Sequence, residues 1–342
     1  MASRLWFMNA DFENELAHAG GAYRRPASFD ALNQRLSPHL LCLAHAGDAL
    51  LISEPWSETL QREAARREVE LIAPSSRESQ RHRVFTPWGW TPGAAALGEK
   101  VGAVVQPISF ETIARVNSKL WSHALEVELG CAPRGAATAS SFEELQEAVA
   151  RACPRDDDKW VIKSPFGFAA RERVLGRGPL IAEPQAKWSR KRLKQGETLL
   201  FEPWLEVIRE YGVVLEIFPD GAMLIQGVSD LQTNGAGTGV GYLLGRRPAP
   251  HRARELEEIA RLVGQRLFQE GYHGPAGIDA LEHAGGLRPL LEVNARYTMG
   301  FVALAVERSL KPQTPVFWST KESEKEVSRK GAKGRTSRLS NT

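Results

Sequence analysis

The sequence predicts a mixed chain, α/β at its start and α+β beyond, and three observations lead there. Short apolar runs and helical, charged stretches share the first hundred or so residues. Amphipathic helical patterns and apolar runs separated by glycine-containing turns follow. The 342 residues, 42% hydrophobic and 25% charged, are too many for one ordinary core and apolar enough for two or three domains.

In the first unit, assigned to residues 1–108, residues 40–43 and 49–52 read as buried strands and residues 57–70 as a charged helix. Pro87-Trp88-Gly89-Trp90-Thr91-Pro92-Gly93 interrupts all periodicity, after which residues 102–105 read as one more short strand. The second unit is residues 109–198. It holds helical spacing over 110–129, ended by Gly130 and Pro133, and an amphipathic helix over 142–152 opened by Ser140-Ser141. A strand over 160–163 then runs into a loop. The third unit, residues 199–312, has strands over 199–201, 213–218 and 222–228, and Asp220-Gly221 is a two-residue hairpin signal. Residues 313–342 are read as a basic disordered tail.

Charge narrows the partners. The formal net charge is +3, but the last 22 residues carry seven Lys or Arg against three Glu, so the body is close to neutral and nucleic acid is not the expected partner. The basic run at 187–194 reads as a solvated helix face. Cys42, Cys131 and Cys153 have no CxxC spacing, which fits a reducing cytoplasm. Leu5-Trp6-Phe7-Met8 is followed at once by acids, and no apolar run nears the roughly 18 residues that span a bilayer, so neither a signal peptide nor a membrane is expected. The glycines of 235–241 fit no dinucleotide fingerprint; they read as a mobile loop over a substrate, with Asp230 and Asn234 as polar candidates beside it.

The stretch richest in chemistry is 277–296. Strand alternation from Leu291 onward puts Glu292, Asn294 and Arg296 on one face and Leu291, Val293 and Ala295 on the other. With Gly285-Gly286 as hairpin loop, Asp279 falls opposite Glu292. Two carboxylates facing each other across a ladder repel unless a cation lies between them. Hard oxygen donors beside an amide suit Mg²⁺, or Mn²⁺, rather than zinc.

Glu292-Val293-Asn294-Ala295-Arg296 after Gly277-Ile278-Asp279 resembles the metal-binding end of the ATP-grasp superfamily, whose members include carboxylate–amine ligases and biotin-dependent carboxylases. Other motifs follow the family's order: Asn117-Ser118-Lys119 at a helix start, Lys163 ending a strand, Phe201-Glu202-Pro203-Trp204-Leu205 as a hinge, then Glu210. The resemblance covers roughly residues 111–305. It implies two α+β subdomains holding ATP, preceded by a small Rossmann-like α/β domain. It further implies that Lys119 and Lys163 hold the phosphates, that Glu202 opens the hinge, and that Glu210, ahead of Glu206, meets the ribose. Pro203 has no N–H, so the adenine donor is Trp204 or Leu205, and the family pattern favours Leu205. Asp279, Glu292 and Asn294 would hold the metal, and Arg296 would stabilise charge on the transferred group.

The chain departs from the family at 164–173, where Gly167 is the one glycine, beside Ala169 and Ala170; Arg171 or Arg173 would then supply charge that glycine N–H groups supply elsewhere. The implied activity is an ATP- and Mg²⁺-dependent ligase, ADP-forming, that joins small-molecule or peptide carboxylates to amines. Two alternatives stay open: a non-catalytic or regulatory ATP-binding protein of this fold, and an RNA-associated ligase guided by the basic segments.

Overall fold

The computed structural model describes residues 2–18, 23–76, 78–167, 172–235 and 237–320. Arg171 and residues 321–342 of the expected tail lie outside the described residues.

The first unit is a parallel sheet of β1 (Ser3–Phe7), β2 (Ala49–Leu51), β3 (Glu70–Ile72) and β4 (Arg83–Pro87), in the order β3-β2-β1-β4. Leu5, Ala49, Leu50 and Leu51 are all buried, as a parallel sheet covered on both faces requires. Its helices are α1 (Phe12–Ala17), α2 (Ala27–Leu36), α3 (Glu58–Arg66) and α4 (Pro92–Lys100). The strand expected at 40–43 is instead part of a 3₁₀ helix, Ser37–Cys42. Pro38 fits its first turn and the Ser37 hydroxyl donates back to the Asn33 carbonyl (2.7 Å), so the chain continues the spiral of α2 rather than extending. Residues 102–105 make no strand, only a bridge from Val104 to Val84.

The helical stretch from 110 is two helices, α5 (Phe110–Val116) and α6 (Lys119–Glu128). Asn117 and Ser118 break it: the Asn117 amide donates to the Ile113 carbonyl (2.8 Å), and the Ser118 hydroxyl caps α6 by accepting from the Leu120 N–H (3.2 Å). An antiparallel sheet follows, built from β5 (Ala137–Ala139), β6 (Lys159–Lys163), β7 (Arg173–Arg177) and β8 (Leu199–Pro203) in the order β5-β8-β6-β7. α7 (Phe142–Ala152) and α8 (Glu183–Lys194) cover one face through Leu145, Val149, Trp160, Ile162 and Phe201. The basic run lies in α8, with Arg192 paired to Glu197 (2.9 Å) and Arg190 over the Phe142 ring.

The third sheet is antiparallel: β9 (Val207–Ile217), β10 (Met223–Thr233), β11 (Gly239–Leu244), β12 (Gly274–His283), β13 (Gly286–Asn294) and β14 (Val316–Trp318), in the order β13-β12-β9-β10-β11-β14. Between them run α9 (Pro250–Gln269) and α10 (Met299–Leu310). Tyr211, Val213, Leu215 and Ile217 alternate onto the face that packs against Leu256, Ala260 and Val263 of α9. Val214 points to the other face and meets Phe301, Val302 and Leu304 of α10. The β9–β10 turn is longer than a two-residue hairpin, because Ile217 pairs with Met223 and the Asp220 carboxylate accepts from the Ala222 N–H (3.0 Å). β14 pairs with β11, so ordered chain continues past residue 312.

Candidate functional site

The β12–β13 hairpin brings the acids together by an unexpected route. His283 pairs with Gly286, so its loop is Ala284-Gly285 rather than Gly285-Gly286. Continued regularly, that register would move Asp279 off Glu292 by two residues. A bulge opens between Asp279 and Leu281, opposite the stretch from Arg288 to Glu292, and restores the pairing. Pro289 lies in that stretch, where its missing ladder N–H costs nothing. The bulge also shifts the alternation: Leu290, not Leu291, joins Val293 and Ala295 in the core. Asp279, Glu292 and Asn294 stand together, and the Asn294 amide donates to Asp279 (3.2 Å). Burial, with Glu292 and Glu210 nearby, pushes the Asp279 carboxyl up from 3.8 to about 7.

α6 runs along the outer edge of β13 and satisfies it. Asn117 Oδ1 accepts from the Ala295 N–H (2.8 Å) and the Ser122 hydroxyl from the Val293 N–H (3.0 Å). Lys119, at the start of the same helix, donates to Glu292 (2.7 Å) and to the Gly167 carbonyl (2.9 Å), so helix, loop and acidic strand meet at one ammonium. Lys163 donates to Glu202 (2.5 Å). At the hinge the Trp204 N–H is taken by the Lys159 carbonyl (2.8 Å), which leaves the Leu205 N–H, among the described residues, as the donor open to a ligand. Glu206 pairs with Lys159 at the surface (2.7 Å).

Glu210, on β9, accepts from the Thr233 hydroxyl (2.8 Å), and burial pushes its carboxyl up against the pull of Thr233 and Arg173. Arg173 lies within the field of Glu210 and Glu292, and its guanidinium sits 6.0 Å from the Trp204 ring. Gly237, in the β10–β11 turn, approaches both Trp204 and Arg173, so that turn does lie against the hinge. Its positive φ suits glycine there.

Three expectations need correction. Asp230 is not in this group: it registers with Tyr211 on the α9 face, whereas its neighbour Ser229 registers with Gly212, beside Asp279. There it is buried and bonded to Arg209 (2.6 Å). Asn234 is spent on the β10–β11 turn, where its side chain accepts from the Thr238 N–H (3.0 Å). Arg296 is not the third residue of an alternating row, because β13 ends at Asn294 and the Arg296 N–H turns back to the Asn294 carbonyl (2.8 Å). Its guanidinium still reaches Asn294 Oδ1 (3.1 Å), and it binds Glu13, a buried acid of the first unit, through Nε (2.8 Å).

Sequence reading missed Glu13, Arg288 and Glu126. Arg288, on β13, forks onto Glu126 of α6 (2.7 and 2.8 Å) and also donates to Glu202 (2.5 Å), all three buried at 4% exposure or less. A signal existed for two of them. Lys119, Ser122 and Glu126 recur at helical spacing on one face of α6, and an arginine inside an apolar strand run has to find a carboxylate. Glu13 gave none beyond its charge.

The donor set suits a hard cation. It is two carboxylates and an amide, all oxygen, with the Asp279 carboxyl pushed up to about 7 by burial and by the neighbouring acids. Among the described residues no three His, Cys, Asp or Glu side chains cluster to hold a metal alone. Mg²⁺ commonly takes one or two carboxylates and completes its shell with phosphate oxygens and water, so the set is adequate for a nucleotide-bridged ion.

No family model matches the chain, and no curated protein matches it in sequence. The likeness is structural. N5-carboxyaminoimidazole synthetase from Staphylococcus aureus, complexed with ADP, aligns with a TM-score of 0.51 at 11% identity, over 87% of this chain and 71% of that one. Biotin carboxylase from Campylobacter jejuni, complexed with β-γ-ATP, gives 0.54 at 12% identity, over 82% and 68%. The biotin carboxylase domain of 2-oxoglutarate carboxylase from Hydrogenobacter thermophilus, complexed with MgADP, ADP and bicarbonate, gives 0.53 at 12%, over 84% and 69%. These are ATP-grasp proteins, and the fold of this chain is the ATP-grasp fold, with a parallel α/β sheet before it.

Proposed function

We propose that the chain is an ATP- and Mg²⁺-dependent ligase that activates a small-molecule or peptide carboxylate as an acyl phosphate for attack by an amine, acting in the cytoplasm. One observation carries the reading: Lys119, Arg173 and Arg296, from distant parts of the chain, lie near the opposed Asp279 and Glu292, while Lys163 and the Leu205 N–H, unpaired among the described residues, lie along the adjoining hinge. On this reading they supply cations for a triphosphate, acids for a metal and a donor for a base. The neighbours crystallised with ADP or MgADP support the same ligands here.

On this reading the Leu205 N–H binds adenine and Glu210 accepts from the ribose hydroxyls. Lys163 and Lys119 hold the phosphates as point charges. Asp279, Glu292 and Asn294 would hold Mg²⁺, which when bound neutralises phosphate charge. The γ-phosphoryl group passes to the substrate carboxylate oxygen and ADP leaves. The amine then attacks the acyl carbon, phosphate leaves with its oxygen, and a proton is lost from nitrogen. Arg296, released from Glu13, stabilises charge on the phosphorylated carboxylate. The protein's contribution is positioning and charge, as phosphoryl transfer demands.

The test is ADP release with Mg²⁺-ATP across a panel of amino acids, peptides and amines. Release that needs both a carboxylate and an amine is the expected result. ATP binding without turnover on any pair would favour the non-catalytic protein, and absence of ATP binding would remove the reading.

A further inference from the structure

Lys163 is not a free cation. Its ammonium is in contact with Glu202, and a lysine wholly neutralised by a buried carboxylate is a poor partner for phosphate. Glu202, however, has a second cation. One of its oxygens meets Lys163 and the other meets Arg288, at 2.5 Å each, and Arg288 is anchored by its fork on Glu126. Lys163, Glu202, Arg288 and Glu126 therefore form a chain of alternating sign through the interior, joining β6, the hinge, β13 and α6. Arg288 is the charge next to Glu202, and Glu126 is one step farther from Lys163. Together the outer pair makes the potential at Lys163 more positive than Glu202 alone would allow.

Resting on the proposed role of Lys163 toward ATP, we propose that Arg288 is a positioning residue: by drawing on the charge of Glu202 it leaves Lys163 available to the nucleotide's phosphates. The proposal separates charge from structure, because removing Arg288 and Glu126 together keeps the buried charge balanced while returning Glu202 wholly to Lys163.

Titrations with Mg²⁺-ATP and with adenosine test it. In the Arg288→Met/Glu126→Gln protein the Kd for ATP should rise about tenfold or more, while that for adenosine stays within about twofold. Adding Glu202→Gln to that protein should restore ATP affinity, since Lys163 is then released; no purely structural role predicts a recovery. Arg288→Lys keeps a charge but cannot fork to both carboxylates, and should show a smaller loss that is again confined to ATP. Equal losses for ATP and adenosine, no recovery with Glu202→Gln, or failure of both Arg288 variants to fold would overturn the proposal. The underlying reading fails separately, and visibly, if the unaltered protein does not bind ATP or if Lys163→Ala weakens ATP no more than adenosine. If Lys163→Ala is selective and the Arg288 variants bind like the unaltered protein, the proposal alone falls.

Discussion

Two groups of charge make up the site, and they are balanced in opposite ways. At the hinge, Lys163, Glu202, Arg288 and Glu126 alternate in sign, and burial of Glu202 is outweighed by its two cations, which hold its carboxyl well below the usual range. At the far end, Asp279 faces Glu292 with Glu210 nearby, and burial and repulsion hold Asp279 well above it. The first group is complete without a ligand. On the proposed reading the second is completed by Mg²⁺, so substitutions in the two places should have opposite consequences.

The largest expected effect is at the hinge. Arg288→Met leaves Glu126 buried without its guanidinium and Glu202 with Lys163 alone, and breaking such a group costs about 3–5 kcal/mol. Urea unfolding of the apo protein measures this; a loss under about 1 kcal/mol would mean that the network is solvated and that the hinge group is not balanced by its buried partners.

At the other end the largest effect is on turnover. Asp279→Asn or Glu292→Gln should lower Mg²⁺-dependent ADP release by roughly a hundredfold or more, above the range for losing a supporting partner. Asp279→Asn should leave the apo protein as stable as before or slightly more so, because repulsion is relieved. Glu292→Gln gains less, since Glu292 also holds Lys119. Near-normal turnover in both variants would remove the metal role from this pair.

These two regions were unequally legible. The facing of Asp279 and Glu292 was readable because both lie in one hairpin, and local alternation nearly decides it. It was reached with the wrong loop, and a bulge at Pro289 that no pattern announces compensated for the error. The hinge could be placed as a motif but its charge network could not, since Arg288 meets Glu202 and Glu126 across 86 and 162 residues of sequence. Short-range periodicity found α7 and β6 nearly whole. It mistook residues 40–43 for a strand, because an apolar run of four is equally consistent with a buried helical turn.

The two groups also titrate in opposite senses. Asp279 ordinarily titrates near 3.8 and here near 7, so between those values the folded protein binds more protons than the unfolded chain. Stability from this group is therefore present at low pH and lost as pH rises through about 7. Glu202 works in the opposite sense: its depressed carboxyl contributes above the ordinary glutamate value and is lost as pH falls below it. The apo protein should be more stable at pH 5 than at pH 8, by on the order of 2–3 kcal/mol from Asp279. Asp279→Asn should flatten that slope, and an unchanged slope in the variant would place the titration elsewhere.

The smallest effect belongs to the residue between the two groups. Arg173 lies at the start of β7, near Glu210, Glu292 and the Trp204 ring, just after the loop whose described part has Gly167 as its one glycine. Burial lowers its pKa against the pull of both acids, but it remains charged at neutral pH. If a guanidinium stands in for backbone N–H groups over the phosphates, its removal should weaken ATP without weakening the fold. Arg173→Gln should raise the Kd for Mg²⁺-ATP about three- to tenfold, the scale of one partly solvated charge contact. The loss should shrink with added salt, because the lost interaction is electrostatic and reaches solvent. The apo melting temperature should stay within about 2 °C, since Arg173 is only partly buried, whereas Arg288 is 4% exposed between two buried carboxylates. Unchanged ATP affinity at low salt would remove Arg173 from the phosphate site and leave that role to Lys119 and Lys163.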